Sequence, residues 1–370
     1  MSRFTNWWRT VGVLVGLELR QRTRATRWRV LLGAFFLAVA LVVFASRWFS
    51  ATGNNGTPGD EWGTNLYFFV LGFVGFLGLV ISPTMTATSI NGDRKDATLA
   101  VVQATPASGL QLAMGKLLGA WVASCALLAI STPFLVWAVV EAPYPVWRSI
   151  LGIVVVALLF LAYCGIGLGF SALFARPIGS AAITQLTMLF LLIGLPAVAA
   201  VLIPTTTERV TTISTEWDYD RDTGRSTCRE YPYTREVAHT NRIWWIVAPN
   251  ALVVVADSAS ANDPGRSETW FRSPYGDGRV LQRETALGEV ADAAAAFRAG
   301  ERIPPERRCA TDSPSGTGDY YGYRDDLSAV GSTWYWGLLA NLALGGIGLA
   351  FAARRLRVPA GNLPRGVRIA

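Results

Sequence analysis

The chain has 370 residues, 51% of them hydrophobic and only 16% charged, with a formal charge of +7 and a positive mean hydropathy. That balance is too apolar for a soluble domain of this length, and the apolar residues fall in runs of roughly eighteen or more, enough to cross about 30 Å of hydrocarbon at 1.5 Å per residue. Residues 205–332 hold 15 Arg against 20 Asp and Glu, so the excess basic charge lies elsewhere and reads as membrane topology, not as nucleic-acid binding.

The first predicted element covers residues 4–29. Trp7, Trp8, Val11, Leu14, Val15 and Leu19 recur at helical spacing, with arginines over much of the remainder. This is the pattern of an amphipathic helix lying in the membrane interface against lipid headgroups. A basic lead-in that only orients the first span would carry the same charges. The charged stretch is long for a signal peptide, so an uncleaved anchor is expected.

Six membrane spans are predicted, at residues 30–48, 66–90, 114–140, 150–175, 178–203 and 334–351. Arginine and lysine cluster before the first (Arg20, Arg22, Arg24, Arg27, Arg29), between the second and third (Arg94, Lys95, Lys116), after the fourth (Arg176) and after the sixth (Arg354, Arg355, Arg357, Arg365, Arg368). By the positive-inside rule both termini are cytoplasmic, in a multi-pass protein of the plasma membrane. Arginine far outnumbers lysine, which points to a bacterial source and carries nothing about mechanism. The expected layout is an interfacial helix at 1–29, five helices within 30–204, an extracytoplasmic domain at 205–332, a sixth helix at 333–353 and a basic tail at 354–370.

Between the second and third spans runs a cytoplasmic loop, residues 91–113. Its stretch 97–103 reads as a short helix with Leu99 and Val102 on one side. Thr105-Pro106 breaks that helix, because proline lacks a donor and restrains the residue before it. The chain restarts at Gly109–Lys116 as the base of the third span. A short helix with an apolar face suits docking into a groove on a partner.

This loop resembles that of ABC-2 type transporter permeases, the membrane subunits of one class of ATP-driven exporters. There an acidic–basic pair precedes T-L, a T-P-x-S step follows, and a G-K pair stands where the chain re-enters the membrane. The matching residues are Asp93, Arg94, Thr98, Leu99, Thr105, Pro106, Ser108, Gly115 and Lys116. Asp93 replaces the family's usual Glu, and Ala97 stands where Gly is common. The stretch 241–261 is similar to the family's segment before the last span, through Pro249, Asn250 and Asp257. The likeness covers roughly residues 1–205 and 240–355.

The resemblance implies that Asp93, Arg94, Thr98, Leu99, Thr105 and Pro106 couple to an ABC ATPase subunit, present in two copies. A second copy of this permease, or a homologous one, would complete the pathway. It also implies export. The chain is expected to have no catalytic residue, no metal site and no cofactor of its own, with ATP and Mg on the partner. The nearest approach to a phosphate loop, Gly109-LQLAM-Gly115-Lys116-Leu117, has five residues between the glycines and Leu after Lys, and it precedes an apolar span.

The span interiors hold essentially no charge, unlike proton- or ion-coupled transporters. Such a path suits an amphiphilic cargo such as a lipid, drug or hydrophobic peptide. Thr184, Gln185 and Thr187 either line that path or bond between helices, and packing is the commoner role. Gly165, Gly167, Gly169, Gly345, Gly346 and Gly348 suggest close helix approach.

The segment between the fifth and sixth spans reads as a mixed α/β domain. Residues 211–219 alternate like a strand, Asp222-Thr223-Gly224 reads as a turn, and a second strand runs through Cys228 to Tyr233. Residues 284–302 have helical composition, and 311–323 a loop composition. The apolar run 243–255 is too short to cross and is expected to dip into the outer interface. Cys228 and Cys309 share an oxidising setting and are expected to bridge, whereas Cys125 and Cys164 lie inside spans as small hydrophobes. The single His239 makes a metal site a poor alternative. Two other functional classes remain: a membrane-anchored sensor or assembly factor acting through the outer domain, and an ATP-independent transporter.

Overall fold

The computed structural model describes residues 3–53, 62–95, 107–141, 146–220, 225–259, 271–272, 279–280, 286–300, 306–307 and 331–356. Among them six stretches of helix are long and apolar enough to cross a membrane: Thr26–Thr52, Leu66–Lys95, Gly109–Ile130, Val146–Leu173, Pro177–Thr206 and Trp334–Arg355. They correspond to the six predicted runs. Large apolar side chains also cover much of the outside, among them Leu37, Leu41, Ile178, Leu186, Ile193 and Val201. In water such a surface would be one continuous sticky patch; against hydrocarbon it needs no cover.

Helix α1 (Arg3–Arg24) precedes α2 (Thr26–Gly53), with the chain turning at Ala25. Val11 of α1 is buried while Phe4, Trp8, Val13 and Leu17 are exposed, so one face packs inward and large apolar side chains are left outside. Helix α3 (Trp62–Ala87) contains Pro83 and continues after Thr88 as α4 (Ser89–Lys95).

The break between α3 and α4 frees backbone groups that hydroxyls from other helices satisfy. Ser171 Oγ accepts from the Ile90 and Asn91 amides at 2.9 and 3.3 Å, and Ser180 Oγ donates to the Ala87 carbonyl at 2.6 Å.

The third predicted span, 114–140, is two helices and not one: α5 (Gly109–Ile130) and α6 (Thr132–Glu141). Pro133 has no amide to continue the ladder. The Ser131 and Thr132 hydroxyls back-bond to the Leu127 and Leu128 carbonyls at 2.9 and 3.3 Å, a geometry that bends helices.

Helix α7 (Val146–Leu173) is the centre of the bundle, with Val155, Val156, Leu159, Phe160, Tyr163 and Leu168 fully buried. It meets α12 (Trp334–Arg355) along glycines. A Cβ on Gly165 would lie 2.5 Å from the Gly345 carbonyl oxygen, and one on Gly169 2.6 Å from the Gly348 Cα. Lipid tails are as apolar as leucine, so helices here gain by packing closely and not by leaving water. Gly167 is pressed instead against Pro83 and Thr86 of α3, while Gly346 faces open space.

The fifth span comprises α8 (Pro177–Leu189), a π turn at Phe190–Gly194 and α9 (Leu195–Leu202). Strands β1 (Thr207–Asp220) and β2 (Arg225–Ala238) follow as an antiparallel hairpin, in register from Thr207↔Ala238 to Asp220↔Arg225. Both strands are longer than their sequence pattern predicts, and the predicted turn at 222–224 lies outside the described residues. Two short strands, β3 (Phe271–Arg272) and β4 (Arg279–Val280), pair with each other. Strand β5 (Glu306–Arg307) adds in parallel to β1.

At the hairpin base Glu208 takes a 2.6 Å contact from Arg242. That hydrogen bond and charge, with His239 beyond, hold the exposed Glu208 carboxyl below its ordinary range.

The apolar run 243–255 forms 3₁₀ turns at Thr240–Arg242 and Trp244–Ile246 and then α10 (Ala251–Ala259). Nine helical residues reach only about 13.5 Å at 1.5 Å per residue, too short to cross. Seven of the nine are buried, so α10 is tucked among the spans. Helix α11 (Ala286–Ala299) lies beside it, within the stretch of helical composition.

Candidate functional site

The two ends of the 91–113 loop come together. Helix α5 begins at Ser108, whose Oγ accepts from the Gln111 amide at 3.3 Å while the Gln111 side chain accepts from the Ser108 amide at 2.7 Å. This reciprocal box satisfies two amides that a helix start would otherwise leave open. Eight residues into α5, Lys116 points back to α4 and meets Asp93 at 2.6 Å. The same ammonium meets Glu18 of α1 at 2.9 Å. Glu18 faces Arg22 at 3.8 Å, and Arg22 donates to the Met85 carbonyl of α3 at 3.1 Å.

Four side chains of alternating sign therefore tie α1, α3, α4 and α5 together. The Lys116 side chain is only 9% exposed and Glu18 14%, so the cluster is well shielded from water, where ion pairs gain more and broken pairs cost more.

Glycine sets the distance. A Cβ on Gly115 would meet Leu14 at 2.6 Å, and one on Gly119 would meet Glu18 at 2.8 Å. Glycine at both positions lets α1 lie directly on α5 and brings Glu18 within reach of Lys116. Gln111 Nε2 also reaches the Trp7 carbonyl at 3.5 Å.

Of the residues singled out by the loop motif, Asp93, Ser108, Gly115 and Lys116 share this junction. Arg94 is half-buried on α4, with no ion-pair partner among the described residues. Thr98, Leu99, Thr105 and Pro106, and with them the predicted helix at 97–103, lie outside the described residues. So does Cys309, the predicted partner of Cys228. Cys125 and Cys164 are free thiols.

The predicted pathway residues are engaged in packing. Thr184 is fully buried and donates to the Ser180 carbonyl at 2.7 Å, Thr187 donates to Ile183 at 2.9 Å, and Gln185 reaches across to the Val80 carbonyl of α3 at 3.2 Å.

A second polar junction lies at the other end of the bundle. Pro196 has no amide, so the carbonyls of Leu191 and Leu192, whose π and α partners it would be, are left open. Asn250 Nδ2 donates to both, at 3.1 and 2.7 Å, while its Oδ1 accepts from the Leu252 and Val253 amides and caps α10. Asn341 of α12 donates to the Pro249 carbonyl at 2.8 Å. Asp257 accepts from Arg298 of α11 at 3.2 Å and from the Thr333 amide before α12 at 2.6 Å.

Pro249, Asn250 and Asp257 thus pin a half-helix between the fifth and sixth spans. Sequence reasoning missed Glu18, Ser171, Ser180, Arg298 and Asn341. The one available signal was Glu18, the lone acidic residue ahead of Asp60 in a strongly basic stretch.

Six apolar helices packed by glycine, with buried polar junctions at both ends, mark the chain as a membrane protein of the helical-bundle class. Compared with protein-family models and with curated proteins, the chain matches none.

Proposed function

We propose that this chain is the permease subunit of an ABC-2 type transporter, forming the translocation pathway and coupling to a separate ATPase subunit to export an amphiphile. The observation that carries the reading is the closure of the loop base. Asp93 at the end of the second span and Lys116 at the start of the third are clamped at 2.6 Å and tied to α1 through Glu18. With the two ends of the loop held together in this way, a push on residues 96–106 becomes displacement of the feet of two spans and of α1.

The mechanism follows from that mounting. Two ATPase subunits grip the loops of two permease copies, through Arg94, Thr98, Leu99, Thr105 and Pro106. ATP and Mg stay on those partners. Closure of the ATPases shifts α4 and α5, and the serine contacts of Ser171 and Ser180 carry the shift to α7 and α8. In this reading Asp93 has a double position, facing the partner and holding Lys116.

The test is purification of the tagged chain from its native membrane with identification of co-purifying chains and an ATPase assay. A stoichiometric ATPase, lost in an Arg94→Ala, Leu99→Asp double variant that still folds, is the expected result. A chain that purifies alone under conditions preserving known transporter complexes overturns the reading in favour of a sensor or assembly factor.

A further inference from the structure

Where α1 turns into α2 at Ala25, four arginines, Arg20, Arg24, Arg27 and Arg29, stand exposed within ten residues of chain. The corner is held by the Ala25 amide on the Arg22 carbonyl and the Trp28 amide on the Ala25 carbonyl, both at 3.0 Å. Arg29 Nε donates back across it to the Thr23 carbonyl at 3.3 Å. None of the four arginines has an ion pair among the described residues. Glu18, the acidic residue nearest in sequence, is taken by Lys116 and Arg22.

Bare hydrocarbon adjoins these charges on both helices. At about 100° per residue, Val13, Leu17, Arg20 and Arg24 fall within about 60° of one another on α1. All four are exposed, on the side away from buried Val11 and from Glu18. On α2, Val30, Leu37, Leu41 and Phe44 form a second exposed stripe by the same count, starting three residues after Arg27. Only 17% of that span is buried in the bundle.

Four cations joined to two apolar stripes select their occupant. An acidic protein face would answer the charge and leave the stripes bare. A zwitterionic lipid would cover the stripes but bring its own cation to the arginines. An anionic phospholipid does both, because its phosphate takes charge-assisted bonds from guanidinium groups while its chains lie on α2. Attraction to an anionic leaflet is worth about fivefold in affinity for each basic side chain near the surface.

We infer that the α1–α2 corner seats an anionic phospholipid, its phosphate held by Arg20, Arg24, Arg27 and Arg29 and an acyl chain laid along the α2 stripe. The seat needs only the membrane setting and stands apart from the ATPase-coupling reading.

The experiment uses the full chain in phosphatidylcholine nanodiscs carrying phosphatidylglycerol with a diazirine in one acyl chain, followed by peptide mapping of the photoadducts. Saturable labelling within residues 13–24 and 27–44 is expected, displaced by unlabelled phosphatidylglycerol and not by added phosphatidylcholine. Arg20→Gln with Arg24→Gln removes two side chains that make no bond among the described residues. That pair should raise the mole fraction of phosphatidylglycerol needed for half-saturation about fivefold for each charge. Arg176→Gln, at the foot of α8, should leave it unchanged. Should the double variant fail to fold, displacement in the wild-type chain decides. Equal displacement by phosphatidylcholine overturns the anionic headgroup. Adducts spread alike over the outward faces of α2 and α8, or an equal loss per charge in Arg176→Gln, overturn the seat. Protection of the corner by a co-purifying protein, lifted when that protein is stripped away, would make it a protein contact and overturn the seat as well.

Discussion

At the residue scale, the charges of the junction are shared unequally around Lys116. Lys116 serves two carboxylates at once, Glu18 at 2.9 Å and Asp93 at 2.6 Å. Removing the ammonium takes a cation from both carboxylates at once and leaves Glu18 facing Arg22 at 3.8 Å, whereas removing Asp93 leaves Lys116 still paired with Glu18. Lys116→Met should therefore destabilise the chain by about 2–4 kcal/mol, and Asp93→Asn by less than half of that. Thermal melts in nanodiscs order the two; equal melting would mean that the cluster is a solvated surface and not a clamp. Asn250 makes a sharper case, because its amide is used from both ends. Asn250→Asp keeps the oxygen that caps α10 but turns a carboxylate oxygen toward the Leu191 and Leu192 carbonyls. Asn250→Leu loses the cap and leaves the same carbonyls open. Both should cost about 2–3 kcal/mol by melting. Near wild-type stability in Asn250→Asp would show that the cap alone matters.

At the scale of elements, the contact of α7 with α12 sets how tightly the bundle closes. A Cβ on Gly348 would collide with the Gly165 carbonyl, while one on Gly346 meets nothing within 4 Å. Gly348→Leu is expected to drive the last helix off α7, with loss of folded yield, and Gly346→Leu to be tolerated. Size-exclusion profiles and melts of the two variants make the comparison, and equal behaviour would refute the packed crossing. The glycines were legible in the sequence as a group, but which of them face a partner was not. Gly345 and Gly348 lie three apart and so share a face of α12, whereas Gly346 is rotated about 100° from Gly345, and only the position of α7 selects between those faces. The spans themselves were legible because length and apolarity are local properties. The break at Ser131 was marked by Pro133 inside a run that otherwise reads as one helix. The loop motif named Asp93, Ser108, Gly115 and Lys116 without giving their geometry. Glu18 pairs across 98 residues of chain, a separation that no local pattern carries. Arg298 and Thr333 meet Asp257 for the same non-local reason.

At the scale of the molecule, two packed ends face opposite ways. One gathers Leu14, Ile90, Leu112, Leu117, Leu168, Ala352 and Leu356, which brings α1, the loop base and the end of α12 together. The other holds Trp62, Ala251, Ala259, Ala291 and Leu338, beside the half-helix and α11. Arg20 and Arg24 of α1, Arg27 and Arg29 at the start of α2, and Arg354 and Arg355 at the end of α12 belong to the first of these packed ends. The opposite end has Arg47 over the Trp62 ring at 5.2 Å and Arg148 over Trp147 at 4.7 Å, cations held on interfacial aromatics. The proposed function needs the loop on the cytoplasmic side, the side the positive-inside rule assigns to these charges. Single cysteines in a background with all four native cysteines changed to serine test this directly. Lys95→Cys and Arg355→Cys should react with a membrane-impermeant maleimide only after permeabilisation, and Thr211→Cys on the hairpin should react in intact cells. Were Lys95→Cys labelled from outside, the loop would face away from any source of ATP, and the coupling role would fall while the packing of the bundle stood unchanged.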